Sequence, residues 1–178
     1  WENAQRPETD GRFGSNKMRV YVAQNAPFTL IADSWKAGFR ELASLSPEVG
    51  RRNAEMVLAK VLANRKPPYS LAGGLYDVLT ASNGACLTCS NDELLYSMLL
   101  FRNLEGYDLL PAACCAVSSL INAVHSGLVK KDEFIMLNCT GGGSMASMSM
   151  GYKLKEPDLI VSPDVDDDEL IREVNLLF

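Results

Sequence analysis

Phe134-Ile-Met-Leu-Asn-Cys-Thr-Gly-Gly-Gly-Ser-Met-Ala-Ser-Met-Ser-Met150 is an apolar run that ends in a hydroxyl residue and three glycines. The run Phe134–Cys139 predicts a buried strand by its length and character. Three glycines in a row lose chain entropy on folding and bring no side-chain area in return. They suit a place where backbone approaches a bound group, with N–H donors and the Thr140 hydroxyl turned toward it. Open α/β sheets hold their ligands at the carboxyl ends of strands, where this loop falls. A glycine-rich turn closing a core strand explains the same residues without a ligand.

The sequence on either side alternates strand and helix patterns. Met18–Gln24 alternates and is rich in β-branched residues, and Ala85–Cys89 reads as a second strand. Pro27 is placed to start a helix through Trp35 to about Gly38, and Pro47–Asn64 carries apolar residues at helical spacing. Lys66-Pro-Pro-Tyr-Ser70 breaks that pattern, and a further helix begins near Ser70 and includes Gly73-Gly74. Ser90 with Glu93 predicts a capping box for a helix ending near Gly106. Leu110-Pro111 opens another helix that stops at His125-Ser126-Gly127. Lys130–Glu133 forms an exposed approach to the strand at Phe134, Asp158–Ser162 reads as a short last strand, and Asp167–Asn175 as a closing helix. This order predicts an α/β fold with a largely parallel sheet flanked by helices. Residues 1–16 read as loop or linker remnant, leaving one α/β domain over 17–178.

Composition narrows the function classes. The chain has 178 residues, 47% of them hydrophobic, so it can bury a core without disulfide staples. A net charge of −5 with scattered basic residues gives no footprint for nucleic acid. No apolar run is long enough for a membrane span. The opening Trp1 in place of Met suggests that sequence lies upstream, so that the chain is expected to be a piece of a larger protein. Five cysteines, an odd number, argue for reduced thiols and a cytoplasmic setting.

Several chemical readings compete. Cys86-x-x-Cys89 invites a redox or zinc site, but residues three apart on a strand face opposite ways, and His125 is the one histidine available. Core packing is the reading adopted for these cysteines and for Cys114-Cys115. His125, in a last helical turn, suits the helix dipole. Met145, Met148 and Met150 are spaced for packing along one helix face. Gly141, Gly143 and Ala146 fit a dinucleotide fingerprint with Asp164 about 20 residues on, but the fingerprint opens a βαβ unit and here only a short tail follows. A P-loop is excluded because no Gly-Lys-Ser/Thr follows the glycines.

The motif order is more specific than any one loop. Gln24-Asn-Ala-Pro27, Lys66-Pro-Pro-Tyr69, Glu105-Gly106, Pro111-Ala-Ala113 and Thr140-Gly141 follow one another as in the C-terminal half of threonine synthase-type enzymes. The chain resembles that family, the fold type II enzymes dependent on pyridoxal 5'-phosphate. Within it, Asp33–Gly38, Asn64–Ser70, Gly73–Asp77 and Met136–Gly143 are most similar to the branch that replaces the phosphate of O-phosphoserine with sulfite. The resemblance implies that Thr140 hydrogen-bonds the pyridine nitrogen of the cofactor, with Gly141 and Gly142 in the same turn. It implies that Glu105, Pro111 and Ala112 line the cofactor side, and that Asn25 and Pro27 face the substrate. Arg65, Lys66 and Tyr69 are anion contacts for phosphate and sulfite, or, for Arg65 and Lys66, a solvated helix end. Threonine synthases continue the turn with histidine and lysine, where this chain has Gly142-Gly143-Ser144. That difference favours the sulfite branch over formation of threonine from O-phosphohomoserine. The resemblance further implies a homodimer and a cofactor-bearing lysine in the N-terminal half. Lys17, Lys36, Lys60 and Lys66 do not sit in that lysine's setting, so the chain alone is expected to be inactive. A non-catalytic domain of the same fold is the remaining alternative.

Overall fold

The two expected strands pair side by side. In the computed structural model, which describes residues 17–153, 155–162 and 164–177, β1 (Tyr21–Asn25) and β2 (Ala85–Cys89) lie parallel. Tyr21 is opposite Ala85 and Asn25 opposite Cys89. The loop expected over residues 1–16 lies outside the described residues. The largely parallel sheet is therefore, among the described residues, a parallel pair. The sequence reads 17–178 as one domain, whereas the chain divides between Ser144 and Met145 into two compact units.

In the first unit, helices α1 (Leu30–Lys36) and α5 (Pro111–His125) pack on the sheet, and α4 (Asn91–Glu105) packs on α5. Helix α2 (Pro47–Met56) and α3 (Leu75–Ala81) complete it. Strand alternation sorts the side chains. Ala23 and Cys89 turn toward a core of Ala59, Leu94, Cys114 and Cys115, while Gln24 turns the other way and accepts from Ala32 N at 2.9 Å. Leu94 is fully buried, and that burial contributes roughly 2 kcal/mol.

Helix boundaries follow local chemistry where the caps are strong. The Ser90 hydroxyl accepts from Glu93 N and the Glu93 carboxylate accepts from Ser90 N at 2.7 Å, so both orphan donors are met. Gly106 ends α4 at φ +74°, a left-handed conformation that suits glycine. Pro111 occupies the first position of α5. Ser90→Ala is expected to cost about 1 kcal/mol of stability, read as a shift in the urea midpoint at unchanged slope.

Five expectations change. Helix α1 begins at Leu30, three residues after Pro27. Helix α2 stops at Met56 because the N–H groups of Leu58 and Ala59 turn to the Asn25 side chain, and only a 3-10 turn follows at Lys60–Leu62. Gly73 and Gly74 precede α3 rather than lying inside it, with Gly73 at φ +71° and Gly74 extended as the N-cap, neither of them helical. Phe134–Cys139 is not a buried strand: it belongs to no ladder, and Phe134 and Met136 are at least 90% exposed. A strand needs a neighbouring edge, and among the described residues none reaches this segment. Asp158–Ser162 is likewise outside any ladder, with Ile160 exposed.

The second unit holds α6 (Ser144–Ser149) from its second residue on, and α7 (Asp167–Asn175). Helix α7 matches its expected bounds, and the Asp166 carboxylate caps it by accepting from Glu169 N at 2.8 Å. Met145, Met148 and Met150 were expected to pack, but each is at least half exposed. Among the described residues no helix is long and apolar enough to cross a membrane.

Candidate functional site

The glycine loop finds its close neighbour within the chain itself. Leu110 N donates to Gly141 O at 3.0 Å and Gly143 N to Asp108 O at 2.7 Å, setting Leu109 opposite Gly142 in an antiparallel bridge. These bonds flank a non-hydrogen-bonded pair, in which the backbones run closest. A Cβ on Gly142 would stand 2.3 Å from Asp108 O, and one on Gly141 3.1 Å from a Leu110 methyl. Gly143 has φ +77°. The same pairing turns the N–H and C=O of Gly142 away from Asp108–Leu110, to the open side. The dinucleotide reading loses its geometry here, because no strand leads into the loop and α6 has only six residues.

The pairing also brings the loop to the start of α5. Leu110 is the N-cap and offers no side-chain acceptor, and Pro111 has no N–H. The first-turn N–H groups of Ala112 and Ala113 therefore have no side-chain cap, at the positive end of a 15-residue helix. Gly141, Gly142, Pro111 and Ala112 thus converge on one place, with Thr140 beside them and exposed. Glu105 is exposed at the end of α4, five residues before the N-cap.

The other expected residues are placed differently from one another. Asn25 is 2% exposed and fully engaged. Its Nδ2 donates to Cys89 O at 3.1 Å and Ala26 O at 3.2 Å, and its Oδ1 accepts from Leu58 N and Ala59 N at 3.0 and 3.1 Å. Its polar atoms are spent on holding the end of β2 to the 57–59 turn. Pro27 is half-buried two residues on. Tyr69 is fully buried, with its hydroxyl donating to Phe39 O at 2.9 Å, and burial pushes its pKa up. Arg65 and Lys66 are exposed, and the Arg65 stem crosses α2 at Gly50.

Sequence reasoning missed Arg40. Its guanidinium forks onto Asp77 at 2.5 and 2.8 Å, donates to Ser70 O at 3.2 Å and lies 5.3 Å from the centre of the Tyr76 ring. The fork, followed by a bond from Gly73 N, holds the Asp77 carboxyl below its usual range. Trp35, Tyr76 and Tyr69 stack edge to face beside it, at 5.6 and 5.7 Å. Together these contacts fix the 70–74 loop and the first turn of α3 to the chain after α1. The available signal was Asp77 at the end of the Gly73–Asp77 motif.

The cysteines lie as the strand geometry requires. Cys89 faces α5, its sulfur 3.4 Å from that of Cys115, while Cys86 looks to the α1 side near Asp33. Burial pushes the Cys86 thiol up to about 12. Among the described residues no three of His, Cys, Asp and Glu gather as a metal site. His125 occupies the last turn of α5. Because Cys86 holds its proton more tightly folded than unfolded, its contribution is intact below about pH 9 and is lost as pH rises toward about 12. Native protein at pH 8 is accordingly expected to leave Cys86 unalkylated by iodoacetamide, whereas protein in urea reacts there, as peptide mass mapping would read.

Comparison with known proteins gives a consistent picture. No family model matches the chain. The chain is 40% identical over 174 residues to the cysteate synthase of Methanosarcina barkeri, a match covering 96% of this chain and 42% of that protein. It is 41% identical over 177 residues to the cysteate synthase of Methanosarcina acetivorans, again 96% of this chain and 42% of the relative. With the cysteate synthase of Methanoculleus marisnigri it shares 44% identity over 147 residues, 80% of this chain and 34% of the relative. The chain spans about two fifths of the length of the curated relatives it matches.

Proposed function

We propose, on the premise that the chain belongs by sequence to the cysteate synthase family, that it carries one wall of a site for pyridoxal phosphate in a β-replacement enzyme. The reaction is O-phospho-L-serine with sulfite, giving L-cysteate and phosphate. Pyridoxal phosphate, when bound, supplies the electron sink that lets phosphate leave the β-carbon and sulfite take its place. The observation that carries the reading is the pairing of Gly141–Gly143 with Asp108–Leu110, which joins two separately expected cofactor segments.

The residues fit such a group. The exposed Thr140 hydroxyl suits the ring nitrogen, and as a neutral partner it leaves that nitrogen unprotonated where a carboxylate would favour the charged ring. The outward N–H of Gly142 and the uncapped start of α5 offer donors to anionic groups. Asn25 acts behind the site, holding the carboxyl ends of β1 and β2 level. Arg65 and Lys66 supply exposed positive charge for phosphate and sulfite. On this reading the cofactor-bearing lysine comes from outside residues 17–178.

The test uses the longer polypeptide with O-phosphoserine and sulfite, and cysteate with phosphate is the expected product. Threonine from O-phosphohomoserine, or no turnover with either, overturns the reading. Thr140→Val is expected to lower turnover roughly five- to tenfold, the loss of one hydrogen bond of about 1 kcal/mol, with a shift of the cofactor's absorption band.

A further inference from the structure

One groove of the first unit is lined by two hydroxyls that have no hydrogen-bond partner among the described residues. It measures about 940 Å³ and lies between β1, the middle of α5 and the extended segment 133–138. Its walls are mostly apolar, with Val22 and Leu87 from the sheet, Leu120 and Ala123 from α5, and Ile135 and Leu137 opposite. Two hydroxyls break that surface. Tyr21 Oη and Ser119 Oγ are both buried with no hydrogen-bond partner, and Ser119 is only 2% exposed. Unmade hydrogen bonds at buried hydroxyls are costly, so native chains seldom keep them without a partner.

Backbone groups tell the same story. The bonds Ala85 N to Val20 O and Ala26 N to Cys89 O place the β1–β2 ladder on Val20, Val22 and Gln24. The N–H and C=O of Tyr21 and Ala23 then point to the other edge, which no strand of the described residues covers. Across the groove, no backbone group of Phe134–Thr140 makes a hydrogen bond to a described residue. Residues 134–140 hold no helix, turn or bend, and Arg19 reaches from the β1 side to Glu133 just before them at 2.5 Å. Two backbones with no partner among the described residues thus face one gap, tied together at one end.

We infer that this groove is the seat of one further β-strand, which completes the sheet between β1 and residues 134–139. An inserted strand would pair with Tyr21 and Ala23 on one side and with the Phe134–Cys139 backbone on the other. It would turn alternate apolar side chains into the groove and give Tyr21 Oη and Ser119 Oγ a polar neighbour. A second copy of this chain offers no matching segment, since its own apolar extended run is the far wall of the groove. The occupant is a strand from the remaining three fifths of a polypeptide as long as the cysteate synthase relatives. That source, though not the gap itself, rests on the family reading given above.

Hydrogen exchange on the longer polypeptide tests the pairing. The amides of Tyr21, Ala23 and one alternating set within Ile135–Asn138, either 135 with 137 or 136 with 138, are expected to exchange at least 100-fold more slowly than those of Lys130–Asp132 in the adjoining exposed loop. Exchange at the loop's rate would overturn the proposal. A photoreactive phenylalanine at Met136 then identifies the occupant. A cross-link to an alternating apolar segment of the same polypeptide outside residues 17–178 supports it, and a cross-link to a second copy or to another protein overturns it. Ser119→Ala supplies a readout that packing alone would not move, because faster exchange at Tyr21 and at the protected set within 135–138 together is expected only if a strand joins them. Neither measurement depends on turnover, so failure of the sulfite reaction and failure of the sheet closure are told apart.

Discussion

Asn25→Ala is expected to destabilise the first unit by about 2–4 kcal/mol, seen as a lower urea midpoint. The residue is 2% exposed and all of its side-chain capacity is used. Not every partner is stranded by its loss. Cys89 O keeps a bond from Ala26 N at 2.8 Å, and Leu58 N keeps the Asn91 Oδ1 acceptor at 3.2 Å. Ala59 N, in a residue 1% exposed, is left with nothing, and a cavity opens between β1 and the 57–59 turn. Asn25→Asp separates shape from chemistry. A carboxylate would face Cys89 O and Ala26 O without a proton to donate, so its folded pKa is raised above the unfolded value. The variant is therefore expected to recover stability at pH 4 and lose it as pH rises to 7. Equal stability of N25D and the parent chain at pH 7 would show that the four bonds do not hold this turn.

Gly142→Ala is the second large effect, expected at about 2–4 kcal/mol on the pairing of the glycine loop. A methyl there meets Asp108 O at 2.3 Å, and Asp108 O is backbone that also accepts from Gly143 N. Relief requires the loop to part from Asp108–Leu110, which would carry Thr140 away from the start of α5. Gly143→Ala is the control: nothing lies within 4 Å of its Cβ, and the cost is the left-handed φ of +77°, about 1–2 kcal/mol. In the longer polypeptide, G142A is expected to weaken binding of pyridoxal phosphate by at least tenfold while the β1–β2 ladder keeps its exchange protection. Full cofactor affinity in G142A would detach the glycine loop from the cofactor site.

The elements legible in the sequence were those with a local cause. Ser90 and Glu93 fix the start of α4, Gly106 its end, Pro111 the start of α5 and Asp166 that of α7. The first strand was readable from alternation, the second as a short run before the Ser90 cap, and from it the opposed facing of Cys86 and Cys89. The errors were set by partners distant in sequence. Helical spacing runs past Met56, but Asn25, over thirty residues earlier, takes the N–H groups that would have continued the helix. The Phe134–Cys139 run carries every local mark of a buried strand, yet a strand is a pairing, and its neighbour is not among the described residues. The glycine triplet was readable as a close approach, though not as an approach to Asp108–Leu110. At the candidate site the sequence pointed to both halves of the Gly141–Leu110 pairing without indicating that they touch. Arg40 stayed hidden because an arginine in a polar stretch looks like any solvated cation until its aspartate is placed.

Phe134 and Met136, standing almost wholly in solvent beside Ile135, bear on how such a polypeptide is made and handled. A six-residue stretch, Phe-Ile-Met-Leu-Asn-Cys, with no charge, no proline and unpaired backbone has the makeup of a self-associating segment. Lys130 and Lys131 precede it as charged gatekeepers, but the triple glycine on its far side offers no such guard. Residues 17–178 produced alone would thus be prone to clump through this ribbon, more so as concentration and temperature rise. During synthesis the same ribbon leaves the ribosome after most of the first unit, and its safety in the cell depends on how soon it is covered.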